Sequence, residues 1–361
     1  MKILMIGQKR FPDSREGGID VVVQNLALEL VKLGHEVTVL VRRKKGYNPP
    51  KEYQGVKIKK IFTINSRRLD AIIYSFFATK YVKKAKVDVA HFHALGNTLF
   101  LRKLRNINDK KVVVTIHGLD WKRGKFKGLG NKILMKSERA VVKYAHEIIT
   151  LCDNDKNYFK TKYSKDTLLI PNGVAVPQFF EPSIIKDKYG LSKTSYILFL
   201  SRIVEEKGVH FLIEAYNKIS NPHLKLVIAG GSSHSIDYFN AVKNLANNNK
   251  NIIFTDFVKG KELHELFSNA AFYVLPSTIE GMPISLIEAL SHKNVCLCSD
   301  IKELKDMKSS NIYYFQNKNV EDLKDKITWL MNEKKKYIDE QIFLSWTEVA
   351  KLTVDVYEKR N

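Results

Sequence analysis

The sequence predicts an α/β protein built as two Rossmann-like, doubly wound domains. Three observations carry this: the length of the chain, a strand–helix alternation that runs twice, and a break in that alternation near the middle. At 361 residues the chain is long for one ordinary domain and suits two of about 150–180 residues. Hydrophobic residues make up 44%, enough for two cores. No Gly/Ser-rich or Pro-rich tract interrupts the pattern, and no repeat with a period of about 20–50 residues is visible.

In the first half the expected strands are Lys2–Gly7, Glu36–Arg42, Val56–Phe62, Val87–His93, Lys111–His117, Glu147–Cys152 and Thr167–Pro171. Several are almost continuously apolar, as strands covered on both faces are. Between the first two, Val23, Leu26, Ala27 and Leu30 fall at i, i+3, i+4, i+7 spacing, and Gly34 stops the stripe. The second half repeats the scheme with Tyr196–Ser201, Lys225–Ala229, Asn251–Thr255, Phe272–Pro276, Val295–Ser299 and Asn311–Phe315. The break falls at Asn172–Pro182, where a Pro-Asn-Gly turn and further prolines interrupt the alternation. The expected domains are 1–176 and 177–342, with a final helix, 343–361, carrying Trp346, Val349, Leu352 and Val356 on one side and returning to the first domain.

Charge separates the halves. Residues 1–180 hold 36 Lys/Arg and 15 Asp/Glu, a net +21; residues 181–361 hold 24 and 23, a net +1. General lysine enrichment would raise both halves alike, so the asymmetry predicts a polyanionic partner for the first half alone. The longest apolar runs, such as Val112–Ile116, are strand-length, far below the roughly 20 residues of a spanning helix. Cys152, Cys296 and Cys298 sit in apolar stretches, which suits buried thiols in a reducing compartment.

In open α/β sheets ligands bind beyond the carboxyl ends of the strands, and the chemistry-bearing motifs fall there. Gly7 opens a loop containing Lys9, Arg10 and Arg15 that reaches Gly17 and Gly18 at a helix start. Paired glycines serve tight turns, and they also let a phosphate approach free N–H groups. After the strand ending at Ser201, Arg202 and Lys207 bracket a loop closed by Gly208. Two fixed cations can stabilise charge developing on a leaving diphosphate, and they do so most in the transition state. The sharpest motif runs from Glu280 through Gly281, Met282 and Pro283 to Glu288. It places one carboxylate in a tight loop and another inside an apolar helix, where a buried charge needs a partner. Ligand hydroxyls would provide one. His117-Gly118 ends one strand, and Gly230-Gly231-Ser232-Ser233 ends another and could offer N–H groups to a phosphate.

Together these residues resemble glycosyltransferase family 4, the retaining GT-B enzymes in which two Rossmann-like domains face a central cleft. The resemblance covers nearly the whole chain and includes Ile170-Pro171-Asn172-Gly173-Val174; the E-x7-E element from Glu280 to Glu288 is its most specific part. His117-Gly118-Leu119-Asp120-Trp121-Lys122-Arg123 is similar to bacterial members that build cell-surface polysaccharides. The resemblance implies that Arg202 and Lys207 bind the donor diphosphate and that Glu288 binds the ribose hydroxyls. Glu280 would contact the transferred sugar, helped by Gly281 and Met282 N–H groups, and His117 would touch the same sugar. Gly17 and Gly18 would lie near the diphosphate or the acceptor. The second domain would hold a nucleotide sugar, a UDP-sugar, and the first a glycan or lipid-linked acceptor. Ala175 departs from the family pattern, where Asp commonly follows Asn-Gly-Val.

Asp153-Asn154-Asp155 spells the D-x-D string of metal-dependent glycosyltransferases of another fold. Here it follows a strand and precedes a helix, the place of an N-cap, so no metal and no other cofactor is expected. The basic half suits an anionic cytoplasmic membrane surface, where each Lys or Arg contributes about 1 kcal/mol. Two segments, 67–86 and 121–143, mix basic residues with Phe76, Phe77, Phe126 and Ile133 as interfacial helices do. The expected location is therefore cytoplasmic, at the inner face of the membrane. A sugar-nucleotide epimerase or hydrolase of the same architecture is a second reading. A basic nucleic-acid-binding protein is a third, with no zinc-finger spacing, RNP motif or zipper to support it, and nucleic acid is not an expected partner.

Overall fold

A computed structural model of the chain describes every residue except 13–16, 67–68, 108, 120, 122–127, 232–235, 334–335, 340–342 and 360–361. The chain divides into two compact units, Met1–Gly173 with Leu344–Asn361, and Val174–Phe343.

Unit 1 runs β1 (Lys2–Ile6), α1 (Gly18–Lys32), β2 (Glu36–Arg42), β3 (Glu52–Tyr53), β4 (Val56–Ile61), α2 (Asp70–Lys84), β5 (Val89–His93), β6 (Lys111–Ile116), α3 (Leu129–Tyr144), β7 (Glu147–Thr150), α4 (Asp153–Tyr163) and β8 (Leu168–Leu169). Its sheet has the order β3-β4-β2-β1-β5-β6-β7-β8. All neighbours are parallel except β3 and β4. The expected strands are present, each shorter by a residue or more where a terminal Gly, Cys or Pro was included. The short β3, which no apolar run announced, is an addition. The α1 stripe is buried at Val23, Leu26, Ala27 and Leu30, and Gly34 leaves the helix at φ +86°.

Unit 2 runs α5 (Ile184–Tyr189), β9 (Tyr196–Leu200), α6 (Val209–Asn217), β10 (Lys225–Ala229), α7 (Ile236–Leu245), β11 (Ile252–Asp256), α8 (Lys261–Asn269), β12 (Phe272–Leu275), α9 (Ile284–Ser291), β13 (Cys296–Ser299), α10 (Lys302–Lys305), β14 (Ile312–Phe315) and α11 (Val320–Glu333). The parallel sheet order is β11-β10-β9-β12-β13-β14. Its central strands, Tyr196–Leu200 and Phe272–Leu275, are apolar throughout because both faces are covered. Ile197 and Phe199 join Leu212, Val242 and Ile327 on one side, while Tyr196 and Leu198 join Ile185, Leu266 and Leu290 on the other.

The last helix, α12 (Trp346–Glu358), belongs to unit 1. A capping box starts it: the Glu348 N–H donates to Ser345 Oγ at 3.2 Å, and the Ser345 N–H donates to Glu348 Oε2 at 2.7 Å. Trp346, Val349 and Val356 are buried as expected, but Leu352 is 40% exposed and Thr353 takes its place on the inner face. Gly173 lies under Trp346; a Cβ there would meet the indole at 2.9 Å.

The charge asymmetry follows the units. Unit 1 holds 39 Lys/Arg and 18 Asp/Glu, a net +21, and unit 2 holds 21 and 20, a net +1. No helix among the described residues is long and apolar enough to cross a membrane. All three cysteines are free thiols and buried.

Candidate active site

In unit 2 the strand order reverses at β9, which has β10 on one side and β12 on the other. Sheets of this kind open their ligand crevice at such a switch point. The loops leaving the carboxyl ends of β9 and β12 therefore meet, and they carry the two most informative motifs. Lys207, in the 3-10 turn Glu205–Lys207, forms an ion pair with Glu280 in the loop after β12. Their side chains are 12% and 7% exposed. The Thr278 N–H donates to the Glu206 carbonyl at 2.9 Å and ties the loops a second time. Arg202 stands half-buried at the start of the same β9 loop.

Glycines allow this approach. Gly208 has φ +66°, and a Cβ on it would stand 2.0 Å from the Pro276 carbonyl oxygen. Gly230 has φ +134°, and its Cβ would stand 1.9 Å from the Ser201 carbonyl oxygen. The Gly230 N–H, expected to face a phosphate, is instead committed to the Asp256 carbonyl at 2.8 Å. The Gly231 carbonyl accepts from the Ile203 N–H at 3.1 Å. Gly230 is thus needed by backbone packing against the Arg202 loop, whereas a Cβ on Gly231 would meet the Phe257 ring at 2.4 Å. Ser232 and Ser233 lie outside the described residues.

Gly281 and Met282 connect Glu280 to α9, and Pro283 serves as its N-cap with φ −73° and ψ 117°. Glu288 lies in the second turn of α9. Burial pushes its carboxyl up to about 7, and among the described residues it has no hydrogen-bond or ion-pair partner. A half-buried carboxyl without a partner is costlier to ionise than one in water, and hydroxyl donors from a ligand would offset that cost. The helix itself is fixed by Tyr273 of β12, whose hydroxyl lies 3.0 Å from the Leu200 carbonyl and 2.9 Å from Ser285 Oγ. Sequence reading passed over Tyr273 and Thr278; only strand adjacency shows that they lock the two loops.

In unit 1 the glycine loop follows β1, whose neighbours are β2 and β5. Gly17 caps α1 at φ 147° and Gly18 begins it. The buried Asp20 accepts from the Lys9 N–H at 2.7 Å and folds the loop back onto the helix. Arg15 lies outside the described residues. His117, after β6, is buried and touches a second histidine, with its Nε2 3.1 Å from His93 Nδ1. The Asp153-Asn154-Asp155 string starts α4, but the N-cap is Cys152, with no side-chain capping bond. The two acids occupy the first turn, where the helix dipole favours negative charge. No group of three or more His, Cys, Asp or Glu among the described residues is placed to hold a metal.

The two basic, apolar segments differ. In α2, Tyr74, Ala78 and Val82 are core, but Phe62 and Leu69 beside it are 46% and 48% exposed. Around them Phe62 packs edge-on to Phe77 at 5.2 Å, and Phe76 to Phe100 at 5.4 Å. Lys103 Nζ stands 4.0 Å from the Phe76 ring, and Lys80, Lys83, Lys84 and Lys86 are exposed. In the other segment Leu134 is core, and Trp121 donates to the fully buried Glu138 at 2.7 Å. Its helix is packed into the unit, and Phe126 lies outside the described residues.

Two parallel, doubly wound units with this loop pair define a GT-B glycosyltransferase fold. The sequence matches the family described as Glycosyl transferases group 1 over residues 183–340 and that described as Glycosyltransferase Family 4 over residues 16–176. The chain belongs to glycosyltransferase family 4. It is 25% identical to an uncharacterized glycosyltransferase of Methanocaldococcus jannaschii, over 99% of this chain and 98% of that protein. It is 27% identical to the UDP-Gal:alpha-D-GlcNAc-diphosphoundecaprenol alpha-1,3-galactosyltransferase of Escherichia coli, over 62% of this chain and 60% of that protein. Its fold is similar to that of Anabaena HepE, solved in complex with UDP and glucose, with a TM-score of 0.79 at 16% identity over 99% of each chain.

Proposed function

We propose that this glycosyltransferase is a retaining enzyme that takes a sugar from a UDP-sugar, without a metal, and transfers it to a glycan or lipid-linked acceptor in cell-surface polysaccharide synthesis. The observation that carries the reading is the half-buried carboxyl of Glu288, which has no side-chain partner among the described residues and follows Glu280 of the Lys207–Glu280 pair by eight positions. Unit 2 would bind the donor. Glu288 accepts hydrogen bonds from the ribose hydroxyls, and Arg202 with Lys207 holds the diphosphate. Glu280, with the Gly281 and Met282 N–H groups, holds the transferred sugar, which His117 also touches. Lys207 has three N–H donors, so it can keep Glu280 in position while it neutralises phosphate oxygens.

In the proposed reaction the acceptor hydroxyl oxygen bonds to the anomeric carbon on the face from which the diphosphate leaves. The bond from that carbon to the phosphate oxygen breaks, and its electron pair stays on the diphosphate. The hydroxyl proton passes to the same phosphate oxygen. Arg202 and Lys207 stabilise the charge that develops there, the term on which enzymes of this kind most depend.

The acceptor class is supported by the +21 of unit 1 and by the E. coli relative, whose named acceptor is a diphosphoundecaprenol-linked sugar. An acidic lipid-linked substrate would bring the enzyme to the inner face of the membrane, with the Phe62–Leu69 patch against it. Thermal shift with UDP, GDP, dTDP and ADP, in EDTA, tests the donor reading. UDP at about 100 times its Kd should stabilise by roughly 2.7 kcal/mol. Loss of turnover in EDTA that Mn²⁺ restores would overturn the metal-independent mechanism. Consumption of donor that needs no acceptor would favour an epimerase or hydrolase.

A further inference from the structure

An ion cluster lies at the carboxyl edge of the unit 1 sheet. Arg42 ends β2 and Asp70 begins α2, and Arg42 Nη1 donates to Asp70 Oδ2 at 2.5 Å. Lys44 Nζ reaches the same oxygen at 3.5 Å. Thr63, just past the end of β4, donates to Asp70 Oδ1 at 2.7 Å. The side chains of Arg42, Asp70 and Lys44 are 8%, 13% and 22% exposed. Tyr74 forms the floor. Arg42 Cζ lies 5.1 Å from the centre of its ring, and its hydroxyl donates to the Leu40 carbonyl at 2.7 Å.

One carboxylate here serves two cations. Two positive side chains and one negative leave a net +1. Among the described residues neither Arg42 nor Lys44 has another acidic partner. A guanidinium carries five N–H donors. The described residues give Arg42 a single acceptor, Asp70, and its Nε is buried with none. Donors of a buried cation left without acceptors are costly. The helix dipole favours Asp70 at the start of α2, but the same dipole repels the cations beside it. An anion removes both costs, because phosphate oxygens accept from a guanidinium and an ammonium together.

The same edge carries apolar surface. Phe62 and Leu69 directly precede Thr63 and Asp70 in the chain, and both are exposed. The Arg43 N–H donates to the Ile61 carbonyl at 2.8 Å, which sets the exit of β2 against the residue before Phe62. We infer that Arg42 and Lys44, held by Asp70, bind the diphosphate of a lipid-linked acceptor, with Phe62 and Leu69 against its hydrocarbon chain. A soluble anion would use the cations alone; the adjoining apolar pair points to a lipid. The inference rests on the lipid-linked acceptor of the proposed function.

The test uses the full chain with UDP in excess, so that a nucleotide site is filled. Phosphatidylcholine vesicles carry either undecaprenyl diphosphate or phosphatidylglycerol at matched total charge. The parent should bind the diphosphate vesicles roughly 10-fold to 100-fold more tightly. Lys44→Gln leaves the Arg42–Asp70 pair in place, and Arg42→Lys keeps the charge without the planar fork. Both should lose the preference and still bind phosphatidylglycerol vesicles, whereas Lys44→Arg should keep it. If Arg42→Lys melts early, Lys44→Gln decides the case. Preference retained in a folded Lys44→Gln or Arg42→Lys would overturn the inference while the acceptor class stood. No preference in the parent would overturn both. Inorganic pyrophosphate should compete only at far higher concentration than the lipid. Competition at equal concentration would make this a site for free diphosphate and overturn the lipid assignment.

Discussion

Lys207 and Glu280 form an ion pair although they are 73 positions apart in sequence. Their strands, β9 and β12, are neighbours in the sheet, and both loops leave from the same edge. Removing one partner of so enclosed a pair takes away the ion-pair attraction but not the desolvation of the charge that remains. Lys207→Met and Glu280→Ala should each cost about 3 kcal/mol in urea unfolding. The double variant should lose less than the sum. Full additivity would mean that the pair does not exist in solution. In kinetics Glu280→Ala should act mainly on turnover.

Glu288→Gln should weaken UDP binding by about 1.5–3 kcal/mol, the worth of hydrogen bonds to a charged group. Isothermal titration reads this directly. If the variant binds UDP as tightly as the parent, Glu288 does not hold the ribose.

The same carboxyl predicts a pH dependence. Burial raises Glu288 from 4.5 to about 7. Between those values the folded chain binds the proton and the unfolded chain does not. Stability contributed by the protonated form is therefore present at low pH and lost as pH rises to about 7. Discounted for partial exposure, the loss should be about 1–3 kcal/mol and absent in Glu288→Gln. Ribose hydroxyls favour the ionised form, so UDP affinity should rise from pH 6 to 8 more steeply in the parent than in Glu288→Gln. Parallel curves would remove Glu288 from the site; the comparison cancels titration of the nucleotide itself.

Gly230→Ala and Gly208→Ala should be severe. At both, a Cβ meets a carbonyl oxygen at 2.0 Å or less and the backbone has positive φ. Each should cost about 2 kcal/mol or more. Gly34→Ala, at φ +86° but with open space around its Cβ, should cost only the backbone part. Thermal melts that rank all three alike would put the strain in φ rather than in the crossing of the loops.

Unit 1 should retain the chain on anionic vesicles and release it as salt rises, since screening acts over about 8 Å at physiological ionic strength. Changing Lys80, Lys83, Lys84 and Lys86 to Glu should abolish retention. Phe62→Ser with Leu69→Ser should weaken it while keeping its salt dependence. Equal binding to neutral and anionic vesicles would sink the membrane reading and point to a soluble acidic acceptor.

Much of this protein is legible in the chain alone. Continuous apolar runs such as Ile197–Phe199 mark strands covered on both faces, and the spacing of Val23, Leu26, Ala27 and Leu30 marks a helix, because burial imposes those periods on sequence. The Glu280–Glu288 element was visible because a carboxylate inside an apolar helix is unexplained without a partner. Other features depend on which strands lie side by side, and no local pattern records that. Adjacency of β9 and β12 pairs Lys207 with Glu280, and that of β10 with β9 and β11 turns Gly230 into a packing residue whose N–H is already used. Adjacency of β5 and β6 joins His93 to His117, and the return of α12 brings Tyr357 to His91. Local sequence sets period and propensity, whereas hydrogen bonds between distant residues exist only once sheet order has brought their loops to one edge.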